Sequence, residues 1–217
     1  MSDDPETARQ IAELSLDARP LLVLDVDDVV LDFIRPFPLY LGRQGFDLRL
    51  ETAKLHGNIV ERATGVAAEA ERVSALVDAF FEAQADWQTL TEGAAEALAA
   101  LDGRAEIVLL TMMPHRHRAT RRAHLDALGL PYPLLTTEMA KGPAIRSLRG
   151  KSGRPVAFVD DQPRNLESAR ETVADAHLFH LMADTSLRAL LPPPPEAAIV
   201  VEDWREAGPK IADALGL

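Results

Sequence analysis

The chain of 217 residues is long enough for one packed domain with a modest insertion, but it is short for two large domains. Its composition, 47% hydrophobic and 26% charged, is typical of a globular protein rather than a disordered, fibrous or coiled-coil one. The formal net charge of −11 disfavours a nucleic-acid partner, and the absence of cysteine excludes disulfides, thiolate nucleophiles and cysteine-ligated zinc.

The beginning of the chain, MSDDPETARQ, is acidic, whereas a secretory signal begins with basic residues followed by apolar ones. No apolar stretch approaches the roughly 20 residues of a membrane-spanning helix, because Asp25 and its neighbours interrupt the best candidate. We therefore expect a cytoplasmic protein without a membrane partner.

Four apolar runs predict the strands of a sheet. After a helical pattern over residues 5–17, LLVLDVDD (21–28) is a continuous apolar run that ends in acids. Similar runs follow as EIVLLT (106–111), RPVAFVDD (154–161) and the weaker DAHLFHL (175–181). Continuous apolar runs suit strands buried on both faces, and helix-like sequence separates these runs. The pattern predicts an α/β fold with a doubly wound, Rossmann-like parallel sheet.

The interval between the first two strands is too long for a single crossover helix. It contains two or three helical patterns, and the clearest one, over residues 69–87, has apolar residues at i, i+3, i+4 spacing: Val73, Leu76, Val77, Phe80 and Phe81. We interpret residues 33–90 as a small helical cap inserted after the first strand. Residues 1–32 and 91–217 would then form the α/β core.

Acids are concentrated at the ends of the predicted strands. Asp25 and Asp27 follow the first strand, Thr111 ends the second, and Asp160 and Asp161 end the third. In open α/β sheets the carboxyl ends of the strands form the ligand crevice. Carboxylates crowded in one crevice repel each other unless a cation neutralises them, and oxygen ligands of this kind suit Mg²⁺. The pattern therefore predicts a magnesium site at this edge of the sheet.

The same residues occur in the order of four motifs, and with them the chain resembles the haloacid dehalogenase-like (HAD) hydrolase superfamily. The first motif, a hydrophobic strand followed by Asp-x-Asp, is LLVLDVDD, and the second, a strand ending in Ser or Thr, is IVLLT. The third, a Lys near the start of a helix, is Lys141 in EMAKGPAI, and the fourth, a strand ending in paired acids, is VAFVDD. The resemblance covers about residues 20–182, within which the cap is matched by position only.

The resemblance implies a phosphatase that hydrolyses a small phosphate monoester, such as a phosphorylated metabolite, through an aspartyl phosphate. Asp25 would be the covalent nucleophile, and Asp27 would protonate the leaving oxygen and later activate water. Thr111 would hydrogen-bond a phosphoryl oxygen, and Lys141 would offset negative charge at the site. Where the family commonly has Asn after the Thr, this chain has Met112, so one contact on the phosphoryl side of the substrate would be either missing or apolar.

The resemblance also implies Mg²⁺ as cofactor, held by the Asp25 carboxylate, the Asp27 main-chain carbonyl and Asp160, with Asp161 beside them. The residue that follows Asp27 departs from the family pattern. Where the family commonly has Gly, this chain has Asp28, which replaces a flexible residue at a point where the chain must turn.

Two other functions stay open at this point. A HAD-fold binding or scaffold protein without turnover would be compatible with Asp28 and Met112. A phosphoacceptor signalling domain of the receiver type also places acids, a Thr and a Lys around Mg²⁺. A receiver, however, carries its paired acids on the first strand and has about half this length.

Two polar features have more than one reading. The segment HRHRATRRAH (115–124) is interpreted as a solvated face, with contact to an anion as the alternative. Asn165 either holds the acidic loop from the first turn of the following helix or is an ordinary polar residue of that turn.

Overall fold

Residues 4–217 are described by the structure, a computed structural model. The β-strands in this range are, in chain order, β1 (Leu21–Leu24), β2 (Phe46–Leu48), β3 (Ile59–Glu61), β4 (Glu106–Thr111), β5 (Leu134–Thr136), β6 (Val156–Asp160), β7 (His177–Leu181) and β8 (Ala198–Val201). Six of them form one parallel sheet in the order β5-β4-β1-β6-β7-β8, and β2 pairs with β3 in a separate antiparallel sheet. The prediction of a parallel α/β sheet is confirmed.

The α-helices of the described range are α1 (Pro5–Ala12), α2 (Phe37–Arg43), α3 (Ala70–Glu82), α4 (Ala94–Leu101), α5 (Arg118–Ala127), α6 (Lys141–Arg149), α7 (Pro163–Thr172) and α8 (Trp204–Leu215). Helices α4, α5 and α8 pack on one face of the parallel sheet, and α1, α6 and α7 pack on the other. Along residues 4–217, no helix combines the length and the apolar character needed to cross a membrane.

Strand β1 lies at the centre of the sheet, between β4 and β6. Leu21 and Val23 pack into the hydrophobic cluster on one face, and Leu22 and Leu24 pack into the cluster on the other. All four side chains are inaccessible to solvent, which is why the sequence shows an unbroken apolar run instead of an alternating one. The residue that follows Leu24 therefore emerges at the middle of the sheet's carboxyl edge.

Residues 33–90, the predicted cap, contain α2, α3 and the antiparallel pair β2–β3. Helix α3 buries Val73, Leu76, Phe80 and Phe81, as its spacing predicts. The strand pair is not part of the sequence expectation, because strands of three residues are too short to show a period-two pattern. The cap boundaries at residues 33 and 90 stay a prediction.

The two linkers that join residues 33–90 to the sheet run side by side. Leu31 and Leu90 form an antiparallel bridge. The Asp32 amide donates to the Thr89 carbonyl oxygen at 2.9 Å, and the Thr91 amide donates to the carbonyl oxygen of residue 30 at 2.9 Å. The chain thus leaves the sheet layer and returns to it at one point, directly beyond the end of β1.

Candidate active site

Asp25, Asp160 and Asp161 meet where β1 and β6 end. Leu24 lies beside Val159 in the parallel register, and the Asp25 amide donates to the Val159 carbonyl oxygen at 2.9 Å. One carboxylate oxygen from each of the three aspartates lies within 4.8 Å of the other two. Among the residues that the structure describes, these three form the acidic group suited to a metal ion.

Lys141, the first residue of α6, inserts a buried ammonium between two of these acids. Its Nζ lies 2.7 Å from Asp25 Oδ1 and 2.6 Å from Asp160 Oδ2, and its side chain is inaccessible to solvent. Burial alone would lower the pKa of Lys141, but the carboxylates of Asp160 and Asp25 outweigh it and raise that pKa. The lysine is therefore held as a cation at the centre of the group.

Asn165, in the first turn of α7, holds Asp160 from the other side. Its Nδ2 donates to both oxygens of Asp160, at 3.0 and 3.1 Å. The Gln162 amide also donates to Asp160 Oδ1, at 2.8 Å. Of the two readings of Asn165, the structure shows the one in which it holds the acidic loop.

The acidic group carries more negative charge than Lys141 balances. Burial raises the pKa of Asp25 to about 7 even though Lys141 acts in the opposite direction, and Asp160 and Asp27 add to the rise. Burial together with Asp160 and Asp25 raises the pKa of Asp161 well above its ordinary value. A divalent cation would offset both the burial and the repulsion, and an all-oxygen donor set fits Mg²⁺. The residues present thus fit the metal that the resemblance implies.

Asp27 lies outside this group and is bound by a different pair of side chains. Its Oδ1 accepts from Gln88 Nε2 at 2.8 Å and from Arg121 Nη2 at 2.9 Å. Arg121 Nη2 also donates to Gln88 Oε1 at 3.1 Å, which closes a triangle of side chains. Asp27 is about one-fifth exposed (21%), whereas Arg121 is fully buried.

The solvated-face interpretation of residues 115–124 is wrong for three of their side chains. Arg121, His117 and His124 are buried, because the segment packs between the sheet and residues 33–90. His117 contacts carboxylates of Asp78 at 2.9 Å and Glu82 at 2.8 Å, both on α3. The anions that these side chains contact in the structure are carboxylates of the protein itself.

Asp28 occupies a turn after β1 and bonds to the backbone that follows. Its φ of 57° is in the left-handed region, where glycine is favoured and Asp is tolerated. Its Oδ1 accepts from the amides of Phe33 at 2.9 Å and Ile34 at 3.0 Å. This aspartate therefore makes the sharp turn that a glycine would otherwise make, and it anchors the start of the following segment with hydrogen bonds.

The other two sequence candidates follow β4. Thr111 is buried at the carboxyl end of that strand, adjacent to β1 in the sheet, and its carbonyl oxygen accepts from the Thr137 amide at 2.9 Å. Met112, one residue further on, is 37% exposed. Gln88 and Arg121 are the site residues that sequence reasoning missed, since they lie 61 and 94 residues from Asp27 along the chain.

No protein-family model matches the chain, and no curated protein matches it significantly. Its structure is similar to a predicted phosphoglycolate phosphatase from Haemophilus somnus 129pt, with a TM-score of 0.64, 14% identity and coverage of 91% of this chain and 100% of that chain. It is also similar to a HAD family hydrolase from Deinococcus radiodurans R1 with bound phosphate and sodium (TM-score 0.60, 16% identity, 91% of this chain and 97% of that chain). A third similar structure, YfnB of Bacillus subtilis, is assigned to the HAD hydrolases and is bound to magnesium (TM-score 0.61, 12% identity, 93% and 100%). At these identities the likeness is one of fold.

Proposed function

We propose that this chain, which has the haloacid dehalogenase-like fold, is a Mg²⁺-dependent phosphatase that hydrolyses a small phosphate monoester through an aspartyl phosphate. The observation that carries the proposal is the buried group in which one ammonium, that of Lys141, faces the carboxylates of Asp25, Asp160 and Asp161. Burying several carboxylates beside one ammonium destabilises the fold. Such groups are found at functional sites, and phosphoryl transfer at a metal ion is a function that requires one.

In the first proposed step, an Asp25 carboxylate oxygen attacks phosphorus and the bond from phosphorus to the ester oxygen breaks. The leaving oxygen takes a proton from Asp27, so the products are an alcohol and an aspartyl phosphate. Lys141 holds Asp25 in place during attack and balances charge on the transferred group. Thr111, at the end of the adjacent strand, would donate its hydroxyl to a phosphoryl oxygen.

In the second proposed step, water attacks the phosphorus of the aspartyl phosphate and gives a proton to Asp27. The bond from phosphorus to Asp25 breaks, inorganic phosphate leaves and the Asp25 carboxylate is restored. Asp27 is thereby returned to its protonated form, so the two steps close a cycle.

The residues that would hold Mg²⁺ are Asp25, Asp160 and Asp161 through their carboxylates and Asp27 through its main-chain carbonyl. When bound, the ion would supply positive charge that offsets the repulsion between the phosphoryl oxygens and the attacking carboxylate. Lys141 and Asn165 keep Asp160 oriented for this purpose.

A small phosphorylated metabolite is the proposed substrate class. The similar structures carry names or ligands of this chemistry, namely phosphoglycolate phosphatase and bound phosphate. The net charge of −11 argues against nucleic acid. Met112, which is exposed beside Thr111, would contribute an apolar contact to the substrate.

The proposal is tested by a phosphate-release panel of nucleotides, sugar phosphates and small acid phosphates, run with Mg²⁺ and with EDTA. We expect turnover with Mg²⁺, loss with EDTA, and loss in Asp25→Asn, which keeps the shape of the side chain but removes the nucleophile. Asp175→Asn is the matched control, because Asp175 is an exposed acid paired with Arg149 on the surface.

Turnover that persists in Asp25→Asn would reject the covalent mechanism. No phosphate release from intact, Mg²⁺-loaded protein across the whole panel would instead favour a binding or scaffold protein. A stable phosphoprotein formed without release of phosphate would favour a phosphoacceptor signalling domain.

A further inference from the structure

Asp27 takes part in both proposed steps, but its partners Gln88 and Arg121 have no part in the mechanism so far, although Arg121 is among the largest fully buried side chains of the described range. We infer that Arg121 and Gln88 are positioning residues that fix the orientation of the Asp27 carboxylate for proton transfer. This inference rests on the proposed function.

The first support is the way in which the two donors share one oxygen. Gln88 Nε2 and Arg121 Nη2 both donate to Asp27 Oδ1, at 2.8 and 2.9 Å. Within residues 4–217, Asp27 Oδ2 takes part in no hydrogen bond to the protein. One oxygen is therefore fixed and the other is left to exchange a proton with a leaving group or with water.

The second support is that the arrangement is unfavourable for stability. Within the described residues, Arg121 Nε and Nη1 are buried without a hydrogen-bond partner. Buried polar atoms that stay unpaired destabilise a fold, because the hydrogen bonds to water that they lose are not replaced. The guanidinium also lies 5.7 Å above the ring of Phe81, a contact that offsets only part of this cost. The arginine therefore occupies this place although two of its nitrogens are unpaired, which supports a role beyond packing.

The third support is the position of Gln88 on the linker that returns from residues 33–90 to the sheet. Besides Asp27, its Nε2 donates to the Asp32 carbonyl oxygen of the outgoing linker, at 3.1 Å. The orientation of Asp27 is thus tied to the point about which the predicted cap would move.

The test compares two substrates that differ in their need for a proton. Ethyl phosphate requires protonation of its leaving oxygen, whereas p-nitrophenolate leaves without it. If Arg121 and Gln88 orient Asp27, then Arg121→Met and Gln88→Met lower kcat/KM for ethyl phosphate by about 10²-fold but for p-nitrophenyl phosphate by less than about threefold. Arg121→Lys, which retains a positively charged hydrogen-bond donor, is expected to recover part of the lost kcat/KM for ethyl phosphate.

Arg122→Met is the matched control, because Arg122 is the neighbouring arginine of α5 and pairs with Asp126 at 2.9 Å, away from Asp27. We expect it to leave the ratio of the two activities unchanged. If Arg121→Met does not fold, Gln88→Met and Arg121→Lys carry the test. Equal losses on both substrates would show that the triangle is structural and would overturn the inference.

Crystal structures of Gln88→Met and Arg121→Lys provide a readout that does not depend on turnover. We expect the Asp27 carboxylate to leave its wild-type orientation in at least one of them, and an unchanged orientation in both would overturn the inference. Failure of the proposed phosphatase function is recognised separately, by the absence of phosphate release from wild-type protein across the whole substrate panel, while the orientation of Asp27 in these crystal structures decides the positioning role.

Discussion

Asp28 combines a backbone conformation that suits glycine with a side chain that makes hydrogen bonds. Its positive φ is tolerated because a short polar side chain can stabilise the left-handed region locally. Its carboxylate accepts from two buried amides, those of Phe33 and Ile34. Burial nevertheless raises its pKa to about 7, so the buried negative charge, and not the hydrogen-bonding pattern, is the unfavourable part of this residue.

Substitutions at Asp28 separate these two contributions. We expect Asp28→Asn to retain both hydrogen bonds and to unfold at the same or a higher urea concentration than wild type at about pH 8. Asp28→Ala leaves two amides unpaired and keeps the strained φ, so the free energy of unfolding should fall by about 2–4 kcal/mol. Asp28→Gly relieves the backbone strain but does not replace the hydrogen bonds, so its free energy of unfolding should lie between those of the Asn and Ala variants. Urea titration checks this order, and an Asn variant as unstable as the Ala variant would contradict it.

Residue roles were predictable from the sequence only where a motif carried them. Asp25, Lys141 and Asp160 lie together, as the motif order leads one to expect, because each sits at the edge of a recognisable strand or helix. The burial of Arg121 was not predictable, since its partner Asp27 is 94 residues away and a run of charges usually faces solvent. The catalytic and metal-binding roles themselves stay predictions.

Helices α6 and α7 are in tight contact at Gly142, the residue after Lys141. Its amide donates to Ser168 Oγ at 3.1 Å, and a Cβ at this position would overlap with the carbonyl oxygen of Ser168 and the hydroxyl of Thr172. The position of Lys141 therefore depends on a contact that only glycine allows.

We expect Gly142→Ala to push α6 away from α7, to lower the free energy of unfolding by about 1–3 kcal/mol and to reduce phosphatase turnover through displacement of Lys141. Gly42→Ala in α2 is the matched control, because its Cβ would meet only the flexible end of Arg62. Thermal unfolding and phosphate release measured on both variants check this. Full activity of Gly142→Ala would show that Lys141 tolerates a shift of α6.

Long elements were easier to predict than short ones. Strands β4 and β7 were recognisable because both faces are buried along most of their length, which leaves an apolar run in the sequence, although β7 begins at His177 and not at residue 175. Strands β2 and β3 lacked such a run. Helix α1 ends at Ala12 and not at residue 17, and ends of this kind are set by local hydrogen bonds that a periodic pattern does not contain.

Across the whole molecule, buried acids make stability depend on pH. The pKa values of Asp25 and Asp28 are raised to about 7 and that of Asp161 is raised well above its ordinary value, whereas in the unfolded chain all three titrate near 3.8. Between these values the folded state binds more protons than the unfolded state, so the free energy of unfolding decreases as pH rises. Carboxyls with lowered pKa, such as Asp4 at about 2, lose their contribution only in more acidic solution.

We therefore expect metal-free protein to have a lower Tm at about pH 8 than at about pH 5, and Mg²⁺ to raise Tm mainly at the higher pH, where protons no longer compete for the carboxylates. Asp161→Asn should reduce both the pH dependence of Tm and the increase of Tm by Mg²⁺. Asp213→Asn, at an exposed position of α8, should change neither. Calorimetry with and without Mg²⁺ checks this. A Mg²⁺ effect of equal size in Asp161→Asn would place the ion elsewhere.

The paired linkers at Leu31 and Leu90 give the molecule a modular construction. Because Asp32 and Thr89 are already hydrogen-bonded neighbours, the ends of the segment between them meet without strain. Exchange of that segment for a two-residue turn would leave all six strands of the sheet and the acids at its edge in place. Gln88 lies within that segment and donates to Asp27, so a grafted insertion would have to supply a hydrogen-bond donor at the same point.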